Sequence, residues 1–426
     1  MRAKYSAEKM CGALLVGAAT NLAVVTVADA APGAPLAPAF RVDSASGSSG
    51  DSPLVARNSA GEFVVVWDGS SSANSGSHLY ARQYFANGTP KGAAFSISSA
   101  ELSQTSLAMD EAGDFVVGWR YRDNAGYQHF AAQQVTAAGV LSGAPIEVAK
   151  INGDGAQSVA MDADGDFVVA WTDIESVTVP LPTGSYSEFV LGHSSTHARR
   201  YSRNGSAVGL PMLVSLSLTD PAPLLGVYEV TPPSVAMDPE GDFVVAWGDR
   251  GLLREPVVDA RHYGKSGLPL GLPFRVDFPN LPSADSPIVR MAADGSFVIA
   301  WTTDHSSGRN SYSGFDVYMK HYSNLGLPRN FGVRVSTQVA LSAAALALDA
   351  AGDVVLAWDN NPSYCCVPSN LMFQMYAANG TARGTNTLGT PGDNIGQPAA
   401  ASDAQGNFVL VWNAGGAINA RLYSGN

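Results

Sequence analysis

One nine-residue stretch recurs seven times along this chain and accounts for all of its tryptophans. The copies are "SAGEFVVVW" (59–67), "EAGDFVVGW" (111–119), "ADGDFVVAW" (163–171), "PEGDFVVAW" (239–247), "ADGSFVIAW" (293–301), "AAGDVVLAW" (350–358) and "AQGNFVLVW" (404–412). Successive tryptophans lie 52, 52, 76, 54, 57 and 54 residues apart. Self-similarity at such a period means that one structural unit is stacked or arrayed. Each unit carries four strand signals. A small-plus-apolar run such as "SVAMD" (158–162) comes first, and a Gly turn leads into the β-branched run "DFVVAW". After a variable connection come a run like "YARQYFANG" (80–88) and a short "FSIS" (95–98) or "FRVD" (274–277). Runs of Val, Ile, Phe and Trp bounded by Gly, Asn and Asp read as strands. No stretch carries a helical period.

Four strands per unit, seven times over, predict an all-β, seven-bladed propeller of four-stranded antiparallel blades, which closes radially and leaves few exposed edges. The chain ends agree. The seventh unit stops at "ARLYSGN" (420–426), after its third strand. Its fourth is found near the other end, where "GAPLAPAFRVD" (33–43) matches "GLPLGLPFRVD" (267–277) at seven positions. The N-terminal strand is thus expected to complete the last blade. That fixes the order from axis to rim: "SVAMD" (A), "DFVVAW" (B), "YARQY" (C), "FRV" (D). Five residues before the turn glycine stand Ala56, Ala108, Ala160, Ala236, Ala347 and Ala401, small residues suited to crowding at the axis. The A–B and C–D turns then share one face, and the B–C and D–A loops the other.

The combination G-D-F-V-V-x-W followed by Y-A-R-x-Y-x-x-x-G-x-P-x-G-x-x-F-x-V resembles the repeats of secreted bacterial β-propeller modules, which often occur within large surface proteins. The resemblance spans essentially all of residues 31–426. It implies a fold and no catalytic pattern, because propellers host many functions. The sialidase Asp-box, S-x-D-x-G-x-x-W, is similar only superficially, since here Trp stands six positions after Gly and the upstream Ser or Thr is not in place.

The first thirty residues read as an export signal. Arg2, Lys4 and Lys9 precede an apolar run from Cys11 to Val27, and Ala28-Asp29-Ala30 supplies an A-x-A cleavage site. Residues 31–426 are expected to form a single domain, secreted to the periplasm or beyond, monomeric and without a transmembrane segment. The formal charge is −12 and there is no basic cluster. That argues against nucleic acid, whose affinity comes from phosphate neutralisation. Acidity serves solubility or attracts cations. Beyond Cys11 only the adjacent Cys365 and Cys366 remain. In an oxidising compartment they form either a local vicinal disulfide or two free thiols.

Chemistry is sparser than architecture. In unit three Asp162, Asp164 and Asp166 surround Gly165 like the front of a calcium loop. Only the glycine recurs in all seven units, however. A turn needs that glycine and an Asx residue, whereas calcium needs several oxygen ligands together. The turn is the expected reading and calcium the candidate cofactor. The B–C loop of unit three (172–196) and the D–A connection after it (216–230) are the largest insertions, both on the variable face. Variable loops on a rigid scaffold commonly carry function, so a glycan or protein ligand is expected there. Soon after most tryptophans stands a carboxylate (Asp68, Asp123, Asp173, Asp249, Asp304 and Asp359), forming a loop-capping or cation-attracting rim on that face. Asp51 and Asp285 begin inner strands, and Arg290 replaces Ala in the axial column. A channel arginine must hold a carboxylate, a backbone carbonyl or an anionic ligand. Paired acid and base groups are few. His262 and His321 share the Gln83 column and read as structural. The expectation is a non-catalytic binding module, with a carbohydrate-active enzyme or a structural surface protein as the alternatives.

Overall fold

The computed structural model describes residues 31–43, 49–71, 74–98, 102–151, 155–179, 189–218, 232–249, 256–279, 284–304, 315–335, 344–360, 370–391 and 395–425. Residues 1–30, read above as an export signal, and the Cys365–Cys366 pair lie outside the described residues. Seven four-stranded antiparallel sheets form, as the repeat predicts. Blade 1, for example, runs Ser49–Arg57, Phe63–Ser71, Asn74–Tyr84 and Phe95–Ser98 from axis to rim. Blade 7 joins Ile395–Ser402, Phe408–Ala414 and Ala417–Tyr423 to the N-terminal strand Phe40–Arg41. Phe40 pairs with Ala420 and Arg41 with Asn419. Flanking backbone bonds from Gly33 to Ser424 (2.8 Å) and from Leu36 to Leu422 (2.9 Å) extend the seam. Among the described residues no helix is long and apolar enough to cross a membrane.

The core lies between blades. In blade 1, Phe63, Val65 and Trp67 pack with Val409 and Val411 of blade 7, while the alternate Val64 and Val66 pack with Phe115, Val117 and Trp119 of blade 2. Alternation of side chains along a strand puts both faces of B into apolar contact, which is why B reads as a continuous hydrophobic run. The C-strand motif has an equally local cause. Phe63 lies opposite Tyr84 in register, and their rings stack at 4.8 Å. The same pair recurs as Phe167–Tyr201, Phe243–Tyr263 and Phe297–Tyr322, each at 4.9 Å. Two residues before the tyrosine an arginine covers its ring, at 5.7 Å for Arg82 and 5.8 Å for Arg199. Stacking and cation–π contacts of this kind add to the area buried.

The large insertion of unit three differs from its expectation. Read as a longer B–C loop, its described residues prolong the B and C strands, because Phe167–Val179 and Phe189–Tyr201 pair without interruption out to Val179 opposite Phe189. Backbone groups in a long excursion must find partners, and prolonging the hairpin ladder supplies them. Of the following connection, residues 216–218 belong to the outer strand Ala207–Leu218 and 219–230 lie outside the described residues.

Candidate functional site

On the A–B face the aspartates serve the backbone. Oδ1 of Asp162 accepts from the N–H groups of Asp164 (3.0 Å) and Asp166 (2.9 Å). Asp238 accepts from Glu240, Gly241 and Asp242 at 3.1, 2.9 and 2.9 Å. The other oxygen points at the next blade's turn glycine. A Cβ on Gly241 would lie 3.1 Å from Oδ2 of Asp162, one on Gly295 3.3 Å from Asp238, and one on Gly406 2.7 Å from Asp349. Each turn glycine also has positive φ, +90° at Gly165 and +97° at Gly241. So the glycine recurs for two reasons, its own backbone and its neighbour's carboxylate. Where the aspartate is replaced, by Asn58 and Ala292, the following Gly113 and Gly352 meet no aspartate.

This geometry bears on the calcium candidate. Besides accepting from its own turn, Asp162 has Lys265 Nζ 3.7 Å from Oδ2, and the same ammonium lies 4.0 Å from Asp164. Asp166 turns outward and accepts from the Arg203 N–H at 2.9 Å. The three carboxylates thus have three different environments. Among the described residues no group of three or more His, Cys, Asp or Glu side chains gathers as a metal cluster.

At the opposite mouth the inner strands are deformed. Among the described residues, four of the seven contain a non-glycine residue with positive φ at one shared position: Ser52 (+48°), Gln104 (+54°), Ser286 (+52°) and Gln397 (+51°). Each coincides with a register shift against strand B, such as Asp51 to Leu54 and Asp285 to Ile288. Such conformations cost on the order of 1–3 kcal/mol each and collect at functional sites. The polar residues here also stitch blades together. Ser52 N–H donates to Gln397 Oε1 (2.9 Å), Ser106 Oγ to Gln157 Oε1 (2.9 Å), and Arg120 to the Gly155 carbonyl (3.0 Å). The Ser and Gln residues at the strand starts therefore have an inter-blade role that sequence pattern alone did not reveal.

Asp51 and Asp285 occupy equivalent positions in blades 1 and 5, each accepting from the N–H of the serine that follows, at 2.9 and 2.8 Å. Those blades are as far apart round a seven-membered ring as geometry allows. The carboxylate that Asp51 does meet is Asp68, its cross-strand partner in register. Burial, reinforced by the negative charge of Asp51, pushes the Asp68 carboxyl up to about 7. Among the described residues, one Asp68 oxygen is buried without a hydrogen-bond partner. Asp51 itself is exposed and accepts from Asn413 Nδ2 at 3.1 Å. Asp68 belongs to the expected carboxylate rim, but its acid–acid pairing is tertiary and had no signature in the repeat.

The remaining rim residues are heterogeneous. Asp173 and Asp249 are half-buried and Asp359 is buried, so they do not form one exposed crown. Asp304 ends its B strand opposite Phe315. Asp123 caps a tight hairpin through Ala125 and Tyr127 and holds His129 Nε2 at 3.0 Å, while Glu147 lies 3.1 Å from the other ring nitrogen. His262 and His321 are buried in C strands, and burial pushes His321 down to about 4. Arg290 faces the central channel, away from these groups, and donates to the Val289 carbonyl at 2.9 Å.

No protein-family model matches the chain, and no curated protein does. Among solved structures it is similar to an ulvan lyase of a polysaccharide lyase family, with 10% identity over 91% of this chain and 96% of that one and a TM-score of 0.54. It is also similar to a protein of unknown function from Dyadobacter fermentans (13% identity, 90% and 96% covered, TM-score 0.48). A third likeness is to the propeller domain of the Trilobed protease from Pyrococcus furiosus (8% identity, 89% and 94% covered, TM-score 0.46). At these identities the likeness shows that the chain folds as a propeller, and shows nothing more.

Proposed function

We propose that this protein is an exported, non-catalytic binding module whose ligand sits on the B–C and D–A face, at the channel mouth beside the raised hairpin of blade 3. The observation that carries the reading is the strain at that mouth: four inner strands enter through left-handed non-glycine residues flanked by polar side chains. Residues so held persist where the surrounding structure fixes them, and they pre-organise a rim. Asp51, Asp285 and the half-buried Asp173 and Asp249 are the side chains offered to a ligand there. A glycan is the class to test first, since a polysaccharide lyase shares the fold. Any calcium requirement would show as a dependence of binding on the ion.

The test is a glycan array probed with residues 31–426, with and without calcium, followed by the Asp51→Asn/Asp285→Asn double variant and deletion of 174–193. Loss of a detected interaction in either variant is the expected result. Binding that survives both would remove the face from consideration.

A second reading is favoured by Asp68. A carboxyl that keeps its proton to about pH 7, beside an accessible carboxylate, is the pairing general acid–base chemistry uses. In this reading Asp68 donates the proton and Asp51 receives one or steadies charge, as in a carbohydrate-active enzyme. Turnover on a polysaccharide panel that falls as pH rises through 7 and vanishes in Asp68→Asn would establish it; no turnover on any substrate would leave the binding module.

A further inference from the structure

The axial channel holds a cation that no carboxylate among the described residues neutralises. The column five residues before the turn glycine is alanine in six blades and Arg290 in the fifth. Arg290 is exposed to an axial cavity of about 230 Å³. Among the described residues its guanidinium has one acceptor, the carbonyl of Val289, and no carboxylate pairs with it. The other channel arginine contrasts sharply. Arg57 spends its donors on Asp403 Oδ2 (2.9 Å) and the carbonyls of Gly61 (3.0 Å) and Asn407 (2.9 Å). A guanidinium carries five N–H donors in a planar fork, so most of the Arg290 fork is unused.

Apart from Arg57 and Ser402, the other side chains of the wall are apolar. Around Arg290 lie Ala160, Ala236, Met161, Met237, Met291 and Leu348. Enclosure by that wall lowers the Arg290 pKa from its ordinary value. The exposed fork has donors to spare, and its planar geometry matches a carboxylate with two parallel bonds. Flexible methionine walls adapt to an alkyl body. The cavity is sufficient for a chain of several carbons.

We infer that the channel is a binding site for a small aliphatic carboxylate, with its head group on the Arg290 guanidinium and its hydrocarbon body against Met161, Met237 and Leu348. This site is separate from the loop-face site and stands or falls independently of it.

Calorimetric titration of residues 31–426 with acetate, butyrate, hexanoate, hexanamide and sulfate tests it. Affinity should rise roughly fourfold per added methylene. Hexanamide should bind at least tenfold more weakly than hexanoate. Arg290→Ala installs the residue of the six sister blades, so the fold should be kept, as an unchanged or higher Tm would show; hexanoate affinity should fall at least tenfold. Arg290→Lys keeps the charge but not the fork and should fall between. Met237→Gln should weaken hexanoate more than acetate. The inference is overturned if Arg290→Ala binds hexanoate as the parent does, if sulfate binds as tightly as hexanoate, or if no acid binds. None of these results bears on glycans at the loop face, which Arg290→Ala should leave untouched.

Discussion

The two faces of this propeller use aspartate in opposite ways. On the A–B face Asp110, Asp162, Asp238 and Asp349 are drawn into the turns, and burial raises each of them above the ordinary carboxylate pKa. Backbone N–H groups aimed at Oδ1 pull the other way. At the opposite mouth Asp68 is also drawn in, but it faces Asp51 and one oxygen has no donor. Its carboxyl rises to about 7. The same residue type is therefore a structural cap on one face and a carboxyl pushed toward its neutral form on the other. What decides is whether turn amides surround the carboxylate.

Substitutions should separate the two faces by the size and sign of their effects. The largest concerns the seam between blades 7 and 1, where the Arg57 and Asp403 side chains are 2% and 4% exposed and 2.9 Å apart. Removing one partner of such a buried pair strands the other, so Arg57→Ala should cost about 3–5 kcal/mol in denaturant unfolding. The double variant Arg57→Met/Asp403→Asn, which removes both charges together, should recover most of that. If Arg57→Ala costs under ~1 kcal/mol, well below the buried-pair expectation, the turn face is not held as described.

Next, Asp238→Ala orphans three backbone N–H groups and should destabilise by about 2 kcal/mol at neutral pH, read by the same unfolding experiment. The smallest effect has the opposite sign. A carboxyl whose folded-state pKa lies above its unfolded value binds more protons when folded. The stability Asp68 contributes is thus fully present below about pH 4 and lost as pH rises through about 7. Asp68→Asn should flatten that slope and stabilise the protein at pH 8 by about 1 kcal/mol, the amide still needing partners of its own. A destabilisation at pH 8 equal to that of Asp238→Ala would erase the distinction between the faces.

Much of this architecture is legible in the chain itself. Trp ending each of seven like stretches, the β-branched B run and the "FRVD" shared by residues 40–43 and 274–277 required seven blades and a closing N-terminal strand. They did so because local propensity, alternation and turn chemistry all agree in every unit. The turn reading of "MDADGDF" was legible for the same reason, since only its glycine is constant. The candidate site was legible in part. Asp51, Asp285 and Arg290 stood out as departures from their columns, but the partner of each did not. The insertion of unit three was visible as length, whereas its form as a prolonged hairpin was not.

Sequence alone determined the strand order, the closure and the identity of the turn corners, because these follow from patterns within a few residues of each other. Tertiary structure alone decided that Asp349 meets Gly406, that Arg57 has a carboxylate partner while Arg290, among the described residues, has a carbonyl alone, and that Asp68 faces Asp51 with one oxygen lacking a donor among those residues. Those facts depend on which side chains neighbouring strands and blades bring together. Propeller closure juxtaposes groups that lie far apart in the chain, and in a single copy of the repeat nothing local specifies them.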